Sequence, residues 1–387
     1  MSKTNFNSIL SECAKNLEII KNETHYHYEN LNEYNSTLEK ELKNYKIDDK
    51  DKKEINVIIY NSKNSDGAFS AAIVYHYITD NVKNANIELI RLGEGQQNLL
   101  EKINRLNNKN VIILDLQYND EIYKKLGDVC NKVYSIDNHK SPNNTPSNVK
   151  VISSNNGHAS CALVWKVFYP TKQVPDAVKL VDLGDSKKRM KNMAYSNFFT
   201  SAITYRITAS PYIGYEKWNR GEPLVKIWKI IESGNTVLWR IIGKYMGESI
   251  ENLKEQIAKN AVIKSFQGYT VAVLNFLDPV LYKRVAKQII TNFKNQNRHI
   301  DFAVLWGWEH SSNRYKISLT CEHSNLCKVD LPKLADILGK KGGARGGGGG
   351  FGYVGNFYWP RNKEYDIWDL FEKNYLTEQD KKNLQKK

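Results

Sequence analysis

The chain has 387 residues, 41% of them hydrophobic and 25% charged, with a formal net charge of +14. That length predicts two domains plus extensions, each able to bury its own core, and no run approaches the roughly 18 apolar residues that span a bilayer. The N-terminus lacks a basic-then-apolar leader pattern. An intracellular, soluble and most simply cytoplasmic protein with no membrane association is therefore expected. Cys13, Cys130, Cys161, Cys321 and Cys327 show no CxxC spacing, which argues against a disulfide framework or structural zinc. The positive charge favours polyanionic partners through phosphate neutralisation, although Lys- and Asn-rich coding in an A+T-rich genome would produce the same balance.

Residues 1–54 are expected to form a polar helical extension. Ile9, Leu10, Leu17 and Ile20 share one stripe, and Leu31, Leu38 and Leu42 another, ahead of the charged run Asp48–Glu54. Such an arm suits packing on the body or contact with a protein partner. From Ile55, apolar runs alternate with helical patterns: strand Val57–Tyr60, helix Phe69–Ile78, strand Ile87–Leu92, helix Leu99–Leu106, strand Val111–Leu116, a helix around Glu121–Leu126, strand Lys132–Ile136, strand Val149–Ser153, and helices Ala159–Phe168 and Val174–Leu183. Buried continuous strands alternating with helices predict a doubly wound parallel sheet. Residues 190–245 read as helical and aromatic, and Gly243–Lys264 as one long charged helix. A second, smaller α/β domain then follows, with strands Thr270–Phe276, Phe302–Trp306 and Tyr315–Thr320 and helices Pro279–Asn292 and Leu331–Leu338. The boundaries expected are a 1–54 extension, a 55–245 sheet domain, a 246–265 linker helix, a 266–360 C-terminal domain and a 361–387 basic tail.

Three strand ends deliver Asp66, Asp115 and Asp137-Asn138-His139, and a helix end delivers Asp185. Parallel strands put their C-terminal ends on one edge, where these acids would converge. Carboxylates sharing a site suit hard divalent ions such as Mn²⁺ or Mg²⁺, and two such ions would activate water and clamp a phosphoryl group. Each acid alone reads equally well as a solvated loop residue or a helix cap.

The order of these pieces resembles the DHH phosphoesterase superfamily, which includes RecJ-type exonucleases and oligoribonuclease-like hydrolases. YNSKNSDGAFSAA is similar to its first motif, ILDLQY to the second, IDNHKS to the Asp-His-His signature, ASCALVWKVFYP to the small-residue helix and VPDAVKLVDLGD to the fourth motif. In the second domain ISLTCE and GGARGGGGGF resemble the strand and glycine loop of the DHH-associated domain. The resemblance implies metal ligation by Asp66, Asp115 and Asp185. It gives His139 a role in phosphate contact or leaving-group protonation, with Asp137 orienting its neighbours. Lys140 and Arg345 would bind phosphate, and Gly342 and Gly343 would offer backbone N–H groups to it.

Asn61, Asn64 and Asn138 stand where relatives carry metal ligands, and Ala344-Arg345 replaces Gly-His. Neutral amides bring no charge to a cation, so the expected cofactor is one or two ions of Mn²⁺ or Mg²⁺, with a single ion on Asp66, Asp115 and Asp185 as the reduced form. The function implied is divalent-metal-dependent hydrolysis of a phosphoester in a short oligonucleotide, a single-stranded nucleic acid or a nucleotide. The alternative is a catalytically degenerate member acting as a nucleic-acid- or protein-binding module, or as a scaffold.

Overall fold

The computed structural model describes residues 31–42, 45–62, 64–92, 99–100, 102–139, 142, 144–153, 157–185, 199–200, 202–203, 217, 219–276, 281–309, 314–322, 327–342, 349–351, 353–360 and 367–385. The chain divides into two compact units, Met1–Gly247 and Glu248–Lys387.

The first unit begins with α1 (Leu31–Leu42) and α2 (Asp49–Glu54), followed by β1 (Val57–Asn61), α3 (Ser65–Asn81), β2 (Glu88–Leu92), β3 (Asn110–Leu114) and α4 (Asp120–Val129). It continues through β4 (Lys132–Asp137), β5 (Val149–Ser153), α5 (Ser160–Phe168), α6 (Asp176–Asp185) and α7 (Glu222–Ser233), and α8 (Thr236–Ala258) runs on past Gly247 into the second unit. Its five strands pair in the order β2-β1-β3-β4-β5, all parallel. Every residue of β1 is buried, as a central strand covered on both faces requires. Ile58, Tyr60, Ile112, Leu114 and Ile136 face a core shared with α1, α3, α5, α6 and α7. Val57, Ile59, Val111, Ile113 and Val133 face the opposite core, with α4. Each such side chain contributes about 1.5–3 kcal/mol by leaving water. The chain runs from β1 outward to β2, then crosses back to β3. The β1–β3 junction is therefore the switch point of the sheet, the place where a crevice opens at strand C-termini.

The second unit carries β6 (Val262–Phe266), β7 (Tyr269–Asn275), α9 (Tyr282–Asn295), β8 (Phe302–Glu309), β9 (Arg314–Thr320), α10 (Leu331–Lys341), β10 (Gly349–Phe351), β11 (Val354–Pro360), α11 (Asp369–Glu372) and α12 (Glu378–Leu384). Its mixed sheet runs β10-β11-β9-β8-β7-β6, with only β7 and β8 parallel.

Several expectations shift. The charged helix begins at Thr236 and ends at Ala258, and Val262–Phe266, which takes in the end of the expected 246–265 linker, forms edge strand β6; its apolar residues Val262, Ile263 and Phe266 are interrupted by Lys264 and Ser265, which leaves too short a run to mark a strand. Of the helix expected over Leu99–Leu106, residues 99–100 are α-helical and Ile103–Leu106 form a 3₁₀ segment. The tail is built into the second core, since Ile367, Leu370, Leu376 and Leu384 are buried there and Gln385 bridges to Val329. Leu38, Leu42 and Ile47 of the extension likewise join the first core. The stripe of Ile9, Leu10, Leu17 and Ile20 lies outside the described residues. Trp228 stacks on His76 with centroids 3.7 Å apart and packs against Trp165, which makes it a core aromatic. Cys130, Cys161, Cys321 and Cys327 are buried free thiols, and no described helix is long and apolar enough to cross a membrane.

Candidate functional site

β1 ends at Asn61, and α3 starts four residues later under an Asn64 cap whose side chain accepts the Gly67 N–H at 2.9 Å. Gly67 is obligatory here: a Cβ would lie 2.2 Å from the Asn61 carbonyl oxygen, so only glycine lets the helix start so close to the strand end. The turn buries Asp66 to 1% exposure. Its Oδ1 accepts the Cys161 N–H at 2.7 Å and its Oδ2 the Ser160 N–H at 2.9 Å. These are first-turn donors of α5, which have no partner inside the helix, and the helix N-terminus favours a carboxylate. Burial nonetheless dominates and, with the charge of Asp185, raises Asp66 to about 7.

Asp115 follows β3 in a left-handed conformation, φ 55°, which Asp tolerates better than most residues. Its N–H donates to the Ile136 carbonyl at 3.0 Å, aiming the side chain across the switch point. Asn64 Nδ2 donates to its Oδ2 at 2.8 Å and the Ser160 hydroxyl to its Oδ1 at 3.4 Å. Ser160 thus touches both Asp66 and Asp115. Burial first, then the charges of Asp66 and Asp137, push Asp115 well above the usual carboxylate range.

β4 ends at Asp137, only 3% exposed. Its Oδ1 takes the His139 ring Nδ1 at 2.6 Å and the His139 N–H at 3.1 Å, while the imidazole itself is 62% exposed. Asn138 Nδ2 donates to Asp185 Oδ2 at 2.6 Å. Crowding by protein raises Asp185 and the Asn138 hydrogen bond opposes it; the residue as a whole is exposed, so solvent screens that shift. Two oxygens stand out: Asp137 Oδ2 and Asn138 Oδ1 are buried and accept no hydrogen bond.

The structure therefore gathers Asp66 and Asp115 around Ser160, and Asp137, Asn138, His139 and Asp185 in a second linked group. Charge coupling of Asp115 to Asp137 and Asp185 joins the two. Asn61 is buried at the end of β1. Lys140, Gly343 and Arg345 lie outside the described residues. Gly342 does not offer the free N–H expected of it: that group closes α10 on the Leu338 carbonyl at 2.9 Å. A Cβ at this position would sit 2.7 Å from the Trp359 ring, so the glycine serves packing.

Sequence reasoning missed Ser160 and Cys161, whose role needs only the small residues opening α5. It also missed a buried cluster behind the edge. Asp182, 0% exposed, accepts from Tyr34 Oη at 2.5 Å, His158 Nδ1 at 2.9 Å and the Ala159 N–H at 2.6 Å. It ties α1 and α6 to the start of α5.

Among the described residues no three His, Cys, Asp or Glu side chains form a group that would hold a metal ion, so a two-ion centre supplied wholly by protein does not fit. The orphaned Asp137 and Asn138 oxygens, beside Asp115 and Asp185, are hard donors of the kind Mg²⁺ or Mn²⁺ accepts. Mg²⁺ in particular is commonly held by one or two carboxylates with substrate phosphates and water completing its shell. One such ion fits the donor chemistry.

No family model matches the chain. Among solved structures, a DHH-domain protein described as a member of a family of ribosomal proteins superposes with a TM-score of 0.50, covering 84% of this chain and 88% of that one at 15% identity. The chain has the fold of a DHH domain. Exonuclease RecJ bound to manganese aligns over 89% of this chain and 93% of its own, at 12% identity and a TM-score of 0.46. An uncharacterized protein, R106, of Acanthamoeba polyphaga mimivirus is 25% identical over 134 residues, which is 32% of this chain and about a third (31%) of the relative's length.

Proposed function

We propose that this DHH-fold chain is a divalent-cation-dependent phosphoesterase acting on a short oligonucleotide, a single-stranded nucleic acid or a nucleotide. The observation that carries the reading is the pair of buried, unpartnered oxygens of Asp137 and Asn138 within an acidic edge at the sheet's switch point. An unpaired buried acceptor costs about 1–3 kcal/mol, and a cation there removes that cost. Asp137 Oδ2 and Asn138 Oδ1 would contact the ion directly, and Asp66, Asp115 and Asp185 would add their negative charge through water in its shell. When bound, it supplies Lewis-acid activation of water and neutralises phosphoryl charge. Asp137 Oδ1 fixes the His139 ring through Nδ1, so proton transfer to the leaving oxygen falls to Nε2. Lys140 and Arg345 are the phosphate ligands in this reading.

The test is calorimetric titration with Mg²⁺ and Mn²⁺ beside turnover of labelled single strands, dinucleotides and nucleotides. Cation binding and turnover, both abolished in Asp115→Asn, are expected; neither at millimolar cation overturns the enzyme.

One observation favours a second reading, a binding module without catalysis. The Asn64 and Asn138 amides donate to Asp115 and Asp185, where a ligand residue would instead offer a cation a carboxylate or an imidazole lone pair. That module would bind single strands equally well in chelator, and N64D/N138H would raise cation affinity by about 10–100-fold without creating turnover.

A further inference from the structure

A cavity of about 320 Å³ runs along β2 and is lined by Glu88, Arg91, Lys102, Arg105 and Asn219 as well as apolar residues of the strand. β2 is the terminal strand of the sheet, so the cavity flanks an edge with no neighbouring strand. Three cations face it against one carboxylate. Arg105 is exposed and Lys102 half-buried, and neither of these two forms an ion pair within 4 Å among the described residues. Lys102 and Arg105, three positions apart, repel one another, and an anion in the groove relieves that repulsion. The groove also leads somewhere: Arg91 pairs in register with Tyr60, one residue before Asn61 at the end of β1. The groove therefore runs along β2 toward the same C-terminal edge of the sheet that carries Asp66 and Asp115.

Resting on the function proposed above, we infer that this groove binds the phosphodiester backbone of the substrate strand beyond the reacting phosphate. The preferred substrate class is then a single strand of several nucleotides. A mononucleotide or dinucleotide would fill the acidic edge without reaching Lys102 and Arg105. An acidic peptide is the rival occupant; the groove's continuity with a phosphoester edge and the chain's charge of +14 favour nucleic acid.

The experiment is fluorescence anisotropy on the full chain with a labelled strand of about fifteen nucleotides and a labelled dinucleotide, at several salt concentrations. K102E/R105E is expected to weaken the long strand at least about tenfold and leave the dinucleotide unchanged. K102A/R105A is expected to flatten the log–log salt slope by about 1.4, at about 0.7 per single-strand phosphate contact. Thermal melts should coincide with the parent, since both side chains are surface groups. Retained dinucleotide binding with a long-strand affinity that the variants do not change overturns the groove alone. Displacement of the long strand from the parent by a polyglutamate of equal charge, as effective as unlabelled strand, reassigns the groove to acidic peptides and also overturns it. Failure of the parent to bind either nucleic-acid probe overturns the function on which it rests.

Discussion

Asp182 and Asp185 lie three residues apart on α6 and have opposite environments. Asp182 is fully buried and accepts three hydrogen bonds, from Tyr34, His158 and Ala159. Asp185 reaches the exposed edge and accepts one, from Asn138. Helical neighbours at this spacing share a face, yet the C-terminal end of α6 carries one carboxylate past the core boundary. The first holds elements together, and the second is presented for chemistry. Asp66 combines the two roles: it anchors the N-terminus of α5 and is electrostatically coupled to Asp185.

Substitutions along this series should rank by the number of buried donors each carboxylate satisfies. Asp182→Ala should be the most damaging, losing about 3–5 kcal/mol in urea unfolding, because it leaves a buried His and two further donors uncompensated. An effect near that of Asp185→Ala would break the contrast. Asp66→Ala should lose about 1–3 kcal/mol, from two stranded N–H groups partly offset by removing a carboxylate that burial disfavours. Hydrogen exchange should show the loosening concentrated at the start of α5.

Asp51 tests a third kind of acid. It straps α2 to β4 by accepting from Lys132 at 2.6 Å and Tyr134 at 2.5 Å, and these bonds hold it below its ordinary value of 3.8. A folded-state value below the unfolded one contributes stability above that pH and loses it as pH falls through the folded value. Acid titration of stability should therefore steepen below about pH 3.8 in the parent and less so in Asp51→Asn. The smallest effect belongs to Asp185→Ala, within about 0.5 kcal/mol in the absence of cation, although the proposed function requires it to lower cation affinity in the titration described above.

Much of the sheet domain is legible in the sequence. Val57–Tyr60, Val111–Leu116, Lys132–Ile136 and Val149–Ser153 announce themselves as short, mostly apolar runs, and each holds a strand, the second ending at Leu114. The edge positions of Asp66, Asp115, Asp137 and His139 follow from strand ends alone. β6 escaped because its apolar residues Val262, Ile263 and Phe266 are interrupted by Lys264 and Ser265. In the tail an amphipathic helix is legible around Ile367–Tyr375 and Asp369–Glu372 is helical, whereas the burial of Leu376 and Leu384 in the second core is not.

What the sequence determined by itself is the alternating α/β order and the residue types placed at each strand end, because local apolar runs and turn residues act over a few positions. Only tertiary structure decided how those residues are used. Asp182 meets Tyr34 across 148 positions and His158 across 24; Ser160 is brought to Asp66 across 94 and to Asp115 across 45. No local pattern encodes such contacts, since they depend on which helix N-terminus packs against which strand end. The same packing turns Asn64 and Asn138 from absent ligands into donors on Asp115 and Asp185, and leaves the Asp137 and Asn138 oxygens buried without a partner.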